Sequence, residues 1–141
     1  MKNLYNLPCS IAQSLNIIGD KWTLLIVKQL FMGNNTYNLL MNSLKGIPTN
    51  LLSSRLKSME EAGLISSSLY QKHPPRYSYE LTEMGKALED VLNAITLWGN
   101  RYIDDCDKEL KHNECSSPLE LHYHCPSCKR EVSREEIFIS E

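Results

Sequence analysis

The sequence predicts a mainly α-helical domain with one small β-hairpin, an α+β arrangement, on three observations. From Ser10 to Ala62 apolar residues recur with a helical period, in blocks separated by breaks at Gly19-Asp20, Gly33–Asn35 and "KGIP". Between Leu64 and Leu81 the composition turns to β-formers, and Tyr77, Tyr79 and Leu81 alternate with period two. Beyond Thr82 a helical stripe returns in Met84, Leu88, Val91, Leu92, Ile95, Trp98 and Tyr102.

The elements follow in order. Ile11, Leu15 and Ile18 stand at i, i+4 and i+7, which predicts a helix over Ser10–Ile18 with one buried face. Asp20 can cap the next helix by accepting from a free amide of its first turn. That helix, "KWTLLIVKQLF", is apolar on nearly all sides and belongs at the centre of the core. Thr36 caps a third helix bearing Tyr37, Leu40 and Leu44. A fourth follows the "KGIP" turn and ends at Gly63. At about 100° per residue its Leu52, Leu56, Met59 and Ala62 gather on one side, with Leu51 at the margin. Asn50, Ser53, Ser54 and Lys57 gather opposite, and Arg55 lies near the apolar flank.

Two strand-like runs, "LISSSLYQ" and "RYSYEL", flank "KHPPR", whose prolines cannot join a ladder. They predict a hairpin with a stiff basic tip. The stripe after Thr82 is longer than so small a domain can bury, so part of it is expected to meet a partner subunit. The organisation expected is therefore a domain over 1–106 and a Cys/His-bearing tail over 107–141. Within the domain, a helix-turn-helix spans about 36–62, a hairpin about 64–81 and a long helix about 82–112. No internal repeat is evident.

Composition narrows the function. A chain of 141 residues with 42% hydrophobic residues can build a core. No apolar run approaches the ~20 residues that span a bilayer. The opening "MKNLYNLPCSIAQSL" lacks a secretory pattern, so the expectation is a soluble cytoplasmic protein. In that compartment five cysteines point to metal or redox chemistry rather than a disulfide framework. The net charge of −2 hides a division. Residues 1–100 hold 9 Lys/Arg and 7 Asp/Glu, whereas residues 101–141 hold 6 and 10. Lys45, Arg55, Lys57, Lys72 and Arg76 concentrate positive charge on the fourth helix and the hairpin, a distribution that permits a polyanion partner.

Helix, tight turn, polar-faced helix and basic hairpin make a winged helix-turn-helix. A helix about 10–12 Å across fits a B-DNA major groove roughly 12 Å wide. Thr49, Asn50, Ser53, Ser54 and Lys57 would face bases and phosphates there. Lys72, His73 and Arg76 of the wing would meet the backbone or the adjacent minor groove.

Four blocks carry a resemblance: "CSIAQSLNIIGDKWTLLIVKQL", "GIPTNLLSSRLKSMEEAGLI", "HPPRYSYELTEMGKAL" and "VLNAITLWGNRY". Over about residues 9–102 the chain resembles the HxlR-type winged-helix transcriptional regulators, relatives of the MarR group. The resemblance implies a homodimer joined through its terminal helices and a palindromic double-stranded DNA operator. The family includes repressors and activators; a repressor responding to oxidative or electrophile (quinone or aldehyde) stress is the expectation here. Cys9 falls on the cysteine that opens the family motif, a thiol that several relatives use for such sensing. It directly precedes a helix whose unpaired amides favour an anion.

In the tail, Cys125-Pro126-Ser127-Cys128 is a knuckle of the kind that gives two thiolates to zinc. Cys115 and a histidine (His112, forming H-x-x-C, or His122 or His124) can complete four ligands. No cofactor is otherwise required. Two other readings compete: a winged-helix protein-interaction module, and a thiol-disulfide oxidoreductase using Cys125 and Cys128. The oxidoreductase wants its dithiol at a helix start within a βαβ unit, which a tail this short does not supply. With no Gly-rich phosphate loop, Ser/His/Asp set or catalytic carboxylate pair, the chain is not expected to be an enzyme.

Overall fold

The computed structural model describes residues 4–140, which fall into two compact units divided between Leu92 and Asn93. The first holds helices α1 (Ser10–Ile18), α2 (Thr23–Phe31), α3 (Tyr37–Ser43) and α4 (Thr49–Glu61). Strands β1 (Ile65–Gln71) and β2 (Arg76–Leu81) follow, then α5 (Glu83–Lys86) and the start of α6 (Leu88–Tyr102).

One core serves these elements. Ile26, Val27 and Leu30 of α2 meet Leu40 and Leu44, Ile47 of the turn, and Leu52, Leu56 and Met59 of α4. Leu64 and Ile65 close it from the strand side. The buried residues of α4 thus recur at the predicted spacing, and Ala62 and Leu51 pack at their margin. At roughly 25 cal/mol per Å2 of apolar surface removed from water, this cluster is the main stabilising term of the unit.

Local chemistry sets the boundaries. Thr36 Oγ1 accepts from the Leu39 amide at 3.3 Å and starts α3. Gly46 (φ 91°) turns the chain between α3 and α4, a backbone that side chains with a Cβ rarely adopt. Gly63 (φ 81°) ends α4, and the Leu64 amide bonds back to Met59 O at 2.9 Å, so the helix carbonyls are satisfied where the strand begins. The strands pair antiparallel from Ile65↔Leu81 to Gln71↔Arg76, with an irregularity between Leu69 and Gln71. Asn35 O accepts from the Tyr79 amide at 2.8 Å, and Thr36 bridges Ser78, so the α2–α3 loop extends the wing's edge.

Two expectations are corrected. The face of α1 expected to be buried is open: Ile11 is 64% and Leu15 43% exposed, and only Ala12 is buried. The period was right, and Ile18 at the end of the stripe packs against the core, but Ile11 and Leu15 stay largely open in this unit. The long helix expected over about 82–112 is two helices ending at Tyr102. Thr82 caps α5 through the Gly85 amide, and Gly85 packs so closely that a Cβ would overlap the Leu64 carbonyl. Asp104, Asp105 and Asp107 follow Tyr102, and acidic residues oppose the negative end of a helix dipole.

The second unit comprises the rest of α6 and the tail. The tail carries secondary structure of its own. Strands β3 (Tyr123–Cys125) and β4 (Arg130–Val132) pair antiparallel, and a 3-10 turn follows at Arg134–Glu136. Ser133 and Glu136 form a capping box, and Arg130 Nη2 donates to Glu136 Oε1 at 2.6 Å. That guanidinium, with the Ser133 amide, draws the Glu136 carboxyl down to about 2. Among the described residues, no helix is long and apolar enough to cross a membrane.

Candidate nucleic-acid interface

The site begins with the amphipathic division of α4. Because Leu52, Leu56 and Met59 are consumed by the core, the residues on the opposite side of the helix must face outward. Thr49, Asn50, Ser53, Ser54 and Lys57 are all exposed, as are Lys72, His73 and Arg76 of the wing. The structure leaves the eight residues assigned to DNA from sequence accessible, on two neighbouring elements.

It also divides them. Ser53 and Lys57 line one groove with Tyr37, Tyr77 and Tyr79. Arg76 lines an adjoining groove with Tyr37, Asn38, Tyr70, Pro75 and Tyr77. Thr49, Asn50, Ser54, Lys72 and His73 line neither of these grooves and stand on open surface. Lys72 and His73 lie in the turn at the wing tip, which contains a cis His73–Pro74 bond.

Side chains beyond the sequence assignment hold this arrangement. Tyr37 Oη donates to Thr49 O at 3.0 Å, tying α3 to the first turn of α4. The Ser53 hydroxyl also donates to Thr49 O, at 3.3 Å. On the wing side, Ser67 Oγ donates to Glu60 Oε1 at 2.6 Å, which restrains a carboxylate beside the groove. Burial, then the charge of Glu60, pushes the Tyr79 phenol up, so it stays neutral. Tyr70 and Tyr77 remain half exposed as flat surfaces with polar tips. For Tyr77 and Tyr79 the only sequence signal was their alternation along β2, which was equally compatible with packing.

Arg55 is the counter-case. It lies on α4 yet turns to the flank, where Nη1 stands 3.5 Å from Asp20 Oδ2. Asp20 also accepts from the amides of Trp22 (2.9 Å) and Thr23 (3.1 Å) and from the Thr23 hydroxyl. Burial raises its pKa, but the Thr23 hydroxyl, the two amides and Arg55 outweigh that and leave it below the ordinary carboxylate value. The capping role expected for Asp20 is therefore joined to a second one, anchoring α4 to the α1–α2 loop.

Two groups lie outside this surface. Cys9 is an exposed free thiol at the N-cap of α1, its carbonyl accepting from the Gln13 amide at 2.9 Å. In the tail, His112 Nδ1 lies 3.2 Å from Cys115 Sγ, and the Cys128 amide donates to Cys125 Sγ at 3.4 Å. The Ser117 hydroxyl and amide, with His112, hold the Cys115 thiol down at about 7. The Cys128 amide and thiol likewise lower Cys125. His122 faces the carboxylates of Glu120 and Glu131, and His124 pairs with Glu131 across the hairpin. Among the described residues, no three His, Cys, Asp or Glu side chains stand together as a group that could hold a metal.

Comparison with known proteins agrees across most of the chain. Residues 17–107 match the family described as HxlR-like helix-turn-helix. Rv3095 of Mycobacterium tuberculosis, an uncharacterized HTH-type transcriptional regulator, is 31% identical over 131 residues, covering 91% of this chain and 82% of the relative. The crystal structure of PA1607, a candidate transcription factor, superposes with a TM-score of 0.79 at 28% identity, covering 96% of each chain. The oxidized form of the redox regulator HypR superposes with a TM-score of 0.62 at 27% identity, covering 68% of this chain and 99% of HypR.

Proposed function

Because this chain belongs to the HxlR-like helix-turn-helix family and is a transcriptional regulator rather than an enzyme, we propose that it reads a palindromic DNA operator as a homodimer. In this reading α4 enters the major groove. Asn50 pairs with an adenine edge, Thr49, Ser53 and Ser54 contact bases or phosphates, and Lys57 reaches phosphate or guanine. Lys72, His73 and Arg76 grip the flanking backbone or minor groove. The observation that carries it is the exposed polar face of α4 beside a basic wing. No cofactor enters these contacts, since side chains make all of them.

The direct test is a mobility shift with promoter DNA of its own or a neighbouring gene, repeated across salt. Phosphate contacts release counterions, so affinity should fall steeply and log-linearly as salt rises. Binding indifferent to salt would favour a protein-interaction module instead.

The dimer is inferred from apolar surface that one chain leaves open. Ile11 and Leu15 of α1 line one groove with Met84 and Val91, and Ile95, Trp98 and Tyr102 of α6 are also exposed. A second copy would cover them and set two α4 helices one duplex turn apart. Trp98→Asp, which places a charge on the exposed apolar stripe of α6, should convert the dimer to monomer in light scattering and weaken operator binding at least about tenfold. An unchanged dimer would refute the assignment.

Cys9 supplies a chemical input in the same proposal. Its exposure at the helix start suits attack by hypochlorite or a quinone, and HypR, a redox regulator, shares the fold. Cys9→Ser should bind operator as wild type does and lose the response to these reagents. An equal response in both proteins rules out Cys9 as the sensor.

A further inference from the structure

The tail contains one turn built twice. In the first copy the Leu119 amide bonds to Leu110 O (3.0 Å), Lys111 bridges Pro118, and the His112 amide bonds to Ser117 O (2.9 Å). In the second, Tyr123 pairs with Val132, His124 with Glu131 and Cys125 with Arg130. A constant shift in numbering carries each pair of the first hairpin onto a pair of the second. The tips coincide too. The Ser116 amide bonds to His112 O, and the Lys129 amide to Cys125 O, both at 2.8 Å. Ser116 (φ 58°) and Lys129 (φ 55°) are the two non-glycine residues with positive φ among those described. Such a conformation is uncommon outside glycine, and its recurrence at matched positions marks the same backbone device.

That device presents metal-binding side chains at matched places, His112 and Cys115 in one copy and Cys125 and Cys128 in the other. We propose that the two turns are the halves of one zinc site, with His112 Nδ1 and the thiolates of Cys115, Cys125 and Cys128 as its four ligands. Each turn provides two neighbouring ligands, and tetrahedral zinc takes four nitrogen or sulfur donors. With Zn–N and Zn–S bonds of about 2.1 and 2.3 Å, neighbouring donors lie roughly 3.5 Å apart. His112 Nδ1 and Cys115 Sγ already stand at 3.2 Å. A set of one imidazole and three thiolates suits zinc rather than magnesium or calcium. In the described structure the turns stand as two pairs; the ion brings the pairs together.

The metal also answers a folding question. Among the described residues from 101 to 140 none is buried, so the two hairpins share no core of their own. Isolated two-stranded hairpins are marginal in water, and very small units need a cross-link or a metal. Binding replaces three thiol protons with one Zn2+, leaves the imidazole neutral and closes the tail. His124 corresponds to Lys111 of the first copy and His122 precedes the strand, so neither stands at a position matched to His112 or Cys115, and the proposed site does not use them.

The inference stands apart from the DNA reading, because it is tested without DNA. The reduced 141-residue chain, reconstituted with zinc and passed over a weak chelating resin, should carry one zinc per chain. Co2+ in its place should give the visible bands of tetrahedral thiolate coordination. His112→Ala, Cys115→Ser and Cys128→Ser should each drop the metal to near zero per chain. His112→Cys should keep one metal per chain with a stronger thiolate-to-cobalt band, which separates a lost ligand from a lost fold. No uptake by the wild-type chain overturns the proposal. So does full metal content, or one metal per two chains, in a protein carrying both His112→Ala and Cys115→Ser, since either would mean that the first turn is not part of the site.

Discussion

A protein carrying both Asn50→Ala and Lys57→Ala should bind its operator at least about a hundredfold more weakly than wild type. A well-placed bidentate base contact contributes about 1–3 kcal/mol, and the lysine adds a phosphate or guanine contact, so the pair accounts for roughly 3 kcal/mol. Both side chains are exposed on α4 and outside the core cluster, so the melting temperature should not move. The single variants should then separate. Asn50→Ala should relax discrimination at one base position, whereas a phosphate-bound Lys57, once replaced by Ala, should weaken all sequences alike and lower the salt slope by about one. Titration of fluorescent operator DNA at several salt concentrations checks both. Wild-type affinity in the double variant would mean that α4 does not enter the groove.

Asp20→Ala should destabilise the first unit by about 3 kcal/mol, by an unrelated route. The carboxylate holds two amides and a hydroxyl at the start of α2, a capping role whose loss costs about 1 kcal/mol. Its removal also strands Arg55. The Arg55 side chain is 12% exposed, and its Nε already lacks a hydrogen-bond partner among the described residues. Breaking a fully buried pair costs about 3–5 kcal/mol; partial exposure of both partners here reduces that share to about 2. For a unit of this size the melting temperature should fall on the order of 15 °C, and α4 should lose its anchor. A shift within a few degrees would show that the pair is solvated.

The same carboxylate sets an acid limit. Its pKa in the fold lies below the roughly 4 of an unfolded aspartate, so near that pH the unfolded chain takes up the proton first. Its contribution is therefore complete above about pH 4 and is lost as pH falls through the lower folded value. Asp20→Asn should remove that part of the acid dependence, as read from denaturant midpoints between neutral and acid pH.

The helices of the first unit were legible because each is amphipathic with its own period. Leu52, Leu56 and Met59 declare the inner side of α4, and so Asn50, Ser53 and Lys57 declare the outer one. Turns announced themselves through Gly46 and Gly63, which occupy backbone conformations that suit little else. Periodicity could not say which apolar stripes find cover. It placed the stripe of α1 inside, whereas Ile11 and Leu15 are open in the single chain. Nor could it tell that Tyr79 also packs against the core while Tyr77 stays exposed, since the two alternate alike in the chain.

The amino-acid order by itself determined the four-helix framework, the hairpin and the polar outer face of α4, because local period and turn chemistry act within a few residues. Only the tertiary structure decided that Arg55 belongs to Asp20, that Tyr37 braces the first turn of α4, and that the tail repeats one turn. The physical reason is the same in each case. Those features rest on hydrogen bonds and charge pairs between groups far apart in the chain, or on backbone register, which Leu110-Lys111-His112 and Tyr123-His124-Cys125 share without resembling one another.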